Sequence, residues 1–545
     1  MATMKKILMV LGGQYHPLDR CGEIVKKLLE DTGRYLVTPT HDLNTLRAGN
    51  IGRFDAAIVY ADGGELRKDQ ENGLVNFVKN GGAFIGLHGA AASFTKNAAY
   101  VDMLGSTFAG HDAQFEFPVT PTAADSMITR RIQPFRVTDE LYLLDKFQAD
   151  SCEVLATAMW RGKPQPMAYT RTHGKGRVFF LALGHDERSL NHPEVQKMIR
   201  RGVDWTFGRK EIKSMKAGVI GYGKSFKMGR LHLESMRAAG FEIVAACDLV
   251  EQRRIEAEED FPGIPTYASS RKMLEKSGVE LATVITEHND HAKRVIECLN
   301  AGVHAITEKP FCITIEEADA MIAAARRNRR MLSVFHNRRW DGDYMAIKHA
   351  IASGLIGEVF HIEACMGGYG HPSYWWRSEK KISGGAFYDW GAHVVDWTLG
   401  LVPAQIVEVS GYFQEKRVWH DVTNEDHCSA TVRFSNGCSA FIELSQIAAA
   451  GKPRWRILGT KGGILDYDDD KFTVISYRDG VRSEATLKYF ESDWHAYYRN
   501  IADHLMLGEP LVVTPESARR VIAVIATAEK SSKAGKALPM PKHCA

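Results

Sequence analysis

The residues best placed for chemistry lie in two short stretches of the chain's second half. In Ser383-Gly384-Gly385-Ala386-Phe387-Tyr388-Asp389-Trp390-Gly391-Ala392-His393-Val394-Val395-Asp396, the polar residues Asp389, His393 and Asp396 stand at i, i+4 and i+7, so in a helix they share one face. Burying them unpaired would cost ~1–3 kcal/mol each. Either they form a satisfied structural network or they face a reacting molecule. A histidine suits proton removal from an alcohol, because its unperturbed pKa of about 6.5 lies near operating pH. Gly384 and Gly385 would let the helix approach a bound ring closely. In Glu308-Lys309-Pro310 a lysine follows His304 to Thr307, which reads as a strand. At the carboxyl end of a parallel strand such a lysine overlooks the ligand crevice; elsewhere it is a solvated loop charge.

A third stretch could hold phosphate. Gly221-Tyr222-Gly223 follows the apolar run Ala217 to Ile220, and Gly229 opens a helix. Glycines let the backbone turn tightly against a pyrophosphate, which the free N–H groups of the helix start attract. The spacing is looser than GxGxxG, and a plain tight turn is the competing reading. Asp248 ends the next strand. A carboxylate there accepts both hydroxyls of an adenosine ribose and repels a 2′-phosphate, favouring NAD over NADP, with Arg253 and Arg254 nearby pulling the other way.

The elements around these residues alternate strand and helix. The second half begins with strands at Ala217–Ile220, Ile243–Cys247, Leu281–Ile285, His304–Thr307 and Met331–Phe335, and with helices between them, a parallel sheet. From about Asp341 the strands follow one another without helices (Val359–Met366, Val407–Tyr412, His427–Phe434, Ser439–Gln446, Trp455–Gly459), implying an open mixed or antiparallel sheet, closed by helices at Trp494–Leu507 and Pro515–Ala534. The first 208 residues show their own alternation, with strands at Ile7–Leu11, Ala56–Tyr60, Ala83–Leu87 and Arg177–Leu183. The expected division of this α/β chain is 1–208, a linker at 209–214, 215–338 and 339–545.

Length and composition agree with several ordinary globular domains: 545 residues, 45% hydrophobic and 25% charged. The net charge is 69 − 66 = +3, with no basic or acidic blocks, so neither nucleic acid nor a membrane surface is an expected partner. Nine cysteines form no CxxC pair, which suits reduced thiols and a cytoplasmic location. The run Ile7 to Leu11 is shorter than a signal-peptide core of ~7–15 residues or a membrane span of ~20.

Gly221-Tyr222-Gly223 with Met228-Gly229, Thr286 with His291, Glu308-Lys309-Pro310, Asn337-Arg338-Arg339-Trp340, Trp376-Arg377, and the glycine pair leading to Asp389-x-Gly391-x-His393 together resemble the Gfo/Idh/MocA oxidoreductases, from Met215 onward. The resemblance implies a Rossmann domain, a C-terminal α/β domain whose sheet builds a homo-oligomer, and NAD(P)-dependent oxidation or reduction of a sugar or cyclitol carbinol. It places Gly221, Gly223, Phe226, Met228, Gly229, Asp248, Thr286, His291, Glu308 and Lys309 about the cofactor, Arg338, Trp376 and Arg377 about the substrate, and Lys309, Asp389 and His393 at the proton-transfer site. It implies a cis Lys309–Pro310 bond. Asp389 is expected to orient His393, and Tyr374, Trp375 and Trp376 offer flat faces for a sugar ring or form a packed aromatic cluster. Where members commonly carry Thr-Pro, this chain has Thr286-Glu287-His288.

In the first 208 residues, Gly12-Gly13, His16, Gly86-Leu87-His88-Gly89, Gly110-His111, Asp139-Glu140-Leu141-Tyr142 and Gly184-His185-Asp186 resemble the trehalose-utilisation (ThuA-like) family, which shares the class I glutamine amidotransferase fold. The amidotransferase elbow carries a nucleophilic cysteine; this elbow carries His88, which removes thiolate chemistry. His16, His88, His111, Glu140 and His185 are a possible second site. No two of the histidines have ligand spacing on one helix, so no metal is expected there; acid–base sugar chemistry and a degenerate binding domain are the other readings. The expected function is NAD-dependent oxidation of a secondary sugar or glycoside hydroxyl, at C3, with the first domain acting on the keto-sugar. Alternatives are a redox glycosidase that recycles its NAD in each turnover and a non-catalytic sugar sensor or scaffold.

Overall fold

The computed structural model describes residues 4–209, 214–223 and 227–540. It divides into two compact units: Met1–Ile212 with Met506–Pro510, and Lys213–Leu505 with Leu511–Ala545. The expected linker at 209–214, apart from its two end residues, and Phe226 lie outside the described residues.

In the first unit the strand Lys5–Gly12 buries Ile7, Leu8, Met9 and Val10 completely, as a continuous apolar run must when both faces of a sheet are covered. It lies between Tyr35–Thr40 and Ala56–Ala61; Ala83–Leu87 and then Gly176–Leu181 follow, all parallel. Helices Leu18–Glu30, Lys68–Lys79 and Pro193–Thr206 alternate with these strands in the chain. The sheet then continues antiparallel through Lys163–His173, Glu153–Trp160, Phe115–Pro121 and Phe135–Asp139, to nine strands. Reading hydrophobic periodicity missed these four. Pro118, Pro121, Pro164 and Pro166 interrupt two of them, and proline argues against a strand wherever a ladder N–H is needed. The strand directions alternate across this extension, so Phe135–Asp139 again runs the same way as Gly176–Leu181.

In the second unit six parallel strands lie in the order Thr266–Tyr267, Glu242–Cys247, Lys216–Ile220, Leu281–Val284, His304–Thr307, Leu332–Val334. The chain order reverses on either side of Lys216–Ile220, which opens a crevice at the carboxyl ends there. A second sheet of nine strands holds Val359–Gly367 parallel to Ser439–Ser445 and all its other pairs antiparallel. Gly462–Asp466, Lys471–Arg478 and Val481–Lys488 extend it beyond what sequence predicts; the last is almost wholly exposed and carries no apolar alternation. Helix Pro515–Ala534 starts where expected, with Thr514 accepting the Ser517 N–H and proline in the first turn. The expected single helix through Asp389 and Asp396 is two pieces, Ala386–Asp389 and Gly391–Leu401, meeting at Trp390. Among the described residues no helix is long and apolar enough to cross a membrane.

Candidate functional site

A cleft of about 1220 Å³ opens in the second unit at the carboxyl ends of its parallel strands, and its walls include Gly221, Gly223, Met228, Asp248, Thr286, Lys309, Trp376 and His393. Gly221 has φ +94°, and a Cβ there would stand 2.5 Å from the Ile285 carbonyl oxygen; one on Gly229 would stand 2.5 Å from that of Tyr222. Only glycine permits this approach of turn to strand. Within this turn the Gly221 N–H bonds the Cys247 carbonyl, the Tyr222 and Gly223 N–H groups bond Asp248, and the Gly229 N–H near the start of helix Met228–Ala238 bonds the Tyr222 carbonyl. Asp248 accepts the Tyr222 N–H at 2.8 Å through Oδ2 and the Val250 N–H at 2.8 Å through Oδ1. Arg253 is held by Glu256 at 2.6 Å, and Arg254 donates to the Asp248 and Leu249 carbonyls. The Thr286 hydroxyl is buried with no hydrogen-bond partner among the described residues. A glycine cradle, a carboxylate at the second strand end and an unspent hydroxyl fit a dinucleotide.

The Lys309–Pro310 bond is cis, and Lys309 Nζ meets Asp389 Oδ1 at 2.5 Å. Arg377 donates to the same oxygen at 2.9 Å. Burial opposes the Asp389 charge, but Lys309 and Arg377 outweigh it and hold its carboxyl well below the usual range. Asp389 is therefore spent on these two cations. The expected orientation of His393 by Asp389 is corrected: among the described residues His393 Nδ1 has no hydrogen-bond partner. The break at Trp390 separates the two residues, so helical spacing did not bring their side chains together. Burial first, then the positive charge of Lys309, pushes the His393 pKa well below 6.5, so its imidazole is neutral.

Asp396, expected beside them, forms a bidentate pair with Arg339 at 2.8 and 2.6 Å, a buried structural contact. Glu308 accepts from the Lys309 N–H at 2.9 Å and faces His232 Nε2 at 3.0 Å, while His232 Nδ1 meets the Tyr498 hydroxyl at 2.7 Å. His291 places its two ring nitrogens against the Pro310 and Thr286 carbonyls, stapling the two loops together. Arg338 lies over the rings of Trp390 and Trp494 and pairs with Asp341 at 2.9 Å; Arg377 lies over Trp375 and Trp376. Of the three expected aromatic faces, only Trp376 lines the cleft; Tyr374 is 77% exposed and bonds Asp421. Trp390, Trp494 and His288 are additions. His288 stands edge-on to Trp376 and bonds the Ser383 carbonyl at 2.8 Å. Its place two residues beyond Thr286 was the available signal.

The first unit gathers four of its histidines, His16, His88, His111 and His185, at the carboxyl ends of its strands. His16, Asp62, His88 and His185 follow the carboxyl ends of Lys5–Gly12, Ala56–Ala61, Ala83–Leu87 and Gly176–Leu181, and Glu140 follows Phe135–Asp139. His16 Nδ1 meets Asp62 at 2.7 Å, and His88, with φ 42°, sets Nδ1 2.6 Å from the Ala182 carbonyl. Glu140 Oε2 lies 3.1 Å from His185 Nδ1, 3.4 Å from His88 Nε2 and 3.7 Å from His16 Nε2. His111 Nε2 is 3.5 Å from Oε1 of the same carboxylate. Burial alone would raise the Glu140 pKa, but its contacts with His88, His185 and His111 together pull it down to about 2. All five expected residues therefore converge.

Comparison with known proteins matches residues 6–206 to the ThuA (trehalose utilisation) family, 215–336 to the oxidoreductase family with an NAD-binding Rossmann fold, and 344–465 to the GFO/IDH/MocA C-terminal domain. A scyllo-inositol 2-dehydrogenase (NADP(+)) of Bacillus subtilis is 25% identical over 352 residues, 60% of this chain and 96% of that protein. A myo-inositol 2-dehydrogenase of Thermotoga maritima is 26% identical over 329 residues, 58% of this chain and 96% of that protein. The crystal structure of an NAD-binding protein from Listeria innocua aligns with TM-score 0.54 and 26% identity, covering 61% of this chain and 98% of its own. The chain thus belongs to the Gfo/Idh/MocA oxidoreductases, with a ThuA unit preceding the NAD-binding fold.

Proposed function

We propose that the second unit oxidises a secondary hydroxyl of a cyclic polyol, a sugar or glycoside, with NAD as its cofactor. One observation carries this reading: a lysine ammonium fixed by Asp389 and a neutral buried histidine share the cleft that holds the Gly221 turn. A bound nicotinamide would supply a hydride acceptor. His393 takes the hydroxyl proton on its neutral ring as the carbonyl forms. Lys309 Nζ donates a hydrogen bond to the same oxygen and stabilises the negative charge gathering there. Asp389 acts through Lys309 and Arg377, fixing where their charges stand. Arg338, Arg377 and Trp376 hold the ring through its hydroxyls and one face. Asp248 favours NAD, and the inositol dehydrogenases among the relatives support a cyclic polyol as substrate.

The test is to incubate the chain with NAD and a panel of inositols and glucosides, following NADH absorbance and product mass. NADH should accumulate in step with a product lacking two hydrogens. If no polyol reduces NAD, the reading fails; if glycosides are cleaved without net NADH, the cofactor is being recycled within the turnover.

For the first unit we infer a role on the keto product. A ketone at C3 acidifies the C2 proton. Glu140, through the Oε1 that faces His111, removes that proton, its electron pair forms the C1–C2 double bond, and the aglycone leaves from C1 with the glycosidic electron pair. A 3-keto glycoside given to the Lys309→Met chain should lose its aglycone, and an intact glycoside removes this role.

A further inference from the structure

We propose that the first unit holds one divalent transition-metal ion of the zinc class between Nε2 of His16, Nε2 of His88, Nδ1 of His185 and Oε2 of Glu140. These four donor atoms lie within 4.8 Å of one another. The sequence discouraged a metal because no two of the histidines share a helix, but here each ligand hangs from the end of a different strand.

Hydrogen bonding fixes where two of the ring protons sit. The Ala182 carbonyl can only accept, so the His88 ring proton sits on Nδ1. The Asp62 carboxylate draws the His16 proton to Nδ1 in the same way. Both Nε2 atoms are left with bare lone pairs, yet they face each other at 3.1 Å. Among the described residues His185 Nδ1 has no hydrogen-bond partner, and it is buried beside the Glu140 oxygen at 3.1 Å. Two imidazole lone pairs, a third imidazole nitrogen that makes no hydrogen bond and a carboxylate thus converge, an arrangement that a cation relieves.

The spacing fits. An ion bonded tetrahedrally at ~2.0–2.1 Å spaces its ligand atoms about 3.3 Å apart; four of the six pairs here are 3.1, 3.1, 3.4 and 3.7 Å, and all six lie within 4.8 Å. Nitrogen-rich donors with one carboxylate suit zinc and its first-row neighbours over calcium or magnesium. The surroundings are those of a fixed site. Asp62 also accepts the Gln14 N–H, and Asp139, itself buried, accepts the N–H groups of Gly184, His185 and Glu140. Outer carboxylates and carbonyls of this kind fix a ligand's tautomer and direction. The His16 and His88 side chains are 5% and 0% exposed, whereas His111, at 33%, stands on the open side.

The test uses the full untagged chain, stripped with a chelator and titrated with zinc chloride by calorimetry, then with cobalt(II) by visible absorption. About one equivalent should bind, at least ~100-fold more weakly in both Glu140→Ala and His185→Ala. Cobalt should give ligand-field bands without thiolate charge transfer. A folded wild-type chain that binds no stoichiometric zinc, or folded variants that bind it as tightly, overturns the site. If neither variant folds, the wild-type cobalt spectrum decides: thiolate charge transfer would put the ion on cysteine and overturn it, and its absence supports it.

Discussion

Replacing Asp248 by asparagine separates NAD from NADP recognition without needing the substrate. The carboxylate lies on the cleft and caps the Tyr222 and Val250 N–H groups at 2.8 Å each; asparagine keeps an oxygen for the Tyr222 bond and gives up the Val250 one, so the turn should stand. What changes is the charge. One unit of 2′-phosphate charge held about 6 Å from the carboxylate, at an effective dielectric of about 20, meets about 3 kcal/mol of repulsion. That is roughly a hundredfold in Kd. On the NAD side, exchanging a charged acceptor worth about 1.5–3 kcal/mol for a neutral one worth about 0.5–1.5 loses about 1 kcal/mol, near fivefold. Arg253, tied to Glu256, contributes little in either protein. The preference for NADH over NADPH should therefore fall by about two orders of magnitude or more. The assay is a pair of fluorescence titrations, read through Trp376, Trp390 and Trp494 in the cleft wall. Equal shifts in the two dissociation constants would refute the assignment of Asp248 to the ribose.

Three further outcomes follow from the same geometry. Lys309→Met should lower kcat by ~10²–10⁴ while leaving the NADH dissociation constant within about threefold; stopped-flow and binding titrations measure both, and full retention of kcat would remove the lysine from the reaction. Because burial lowers the His393 pKa, the base is already deprotonated at pH 6.5, so the acid limb of the kcat/KM profile should fall below that value, and a limb above it would contradict a neutral His393. Burial brings the His304 pKa to about 4, and its Nδ1 accepts the Met331 N–H at 2.8 Å. With a folded pKa below the unfolded value of about 6.5, its stabilisation is complete above that pH and is lost as pH falls toward 4. Urea midpoints between pH 7.5 and 4.5 should therefore drop less steeply in His304→Gln, and parallel curves would deny His304 a share.

Much of the cleft was legible because its parts are local patterns. A strand followed by Gly221, a strand followed by Lys309, and glycines before His393 each announce themselves within a dozen residues. The partnership of Asp389 with Lys309 and Arg377 was not legible, since it spans distant segments, and helical spacing suggested His393 instead. Asp396 matched the same spacing and turned to Arg339, which periodicity cannot distinguish from facing a ligand. In the first unit His16, His88, His111 and His185 could be placed at strand ends and grouped with Glu140 as one site. The strand pairing that brings Glu140 beside them was not legible, because Phe135–Asp139 pairs with a strand that carries Pro118 and Pro121. Val481–Lys488 was hidden for a simpler reason: an exposed edge strand has no buried face to write into its sequence.

The strand ends that carry His16, Asp62, His88, His185 and Glu140 all open on one rim of the first sheet, and among the described residues no second cluster of three or more metal-ligating side chains lies on the opposite rim. Tolerance to insertion should accordingly be lopsided. Loops at the far rim can lengthen, shorten or accept a grafted segment with the histidine cage intact, whereas one added residue after Leu87 or Asp139 would rotate a ligand out of reach.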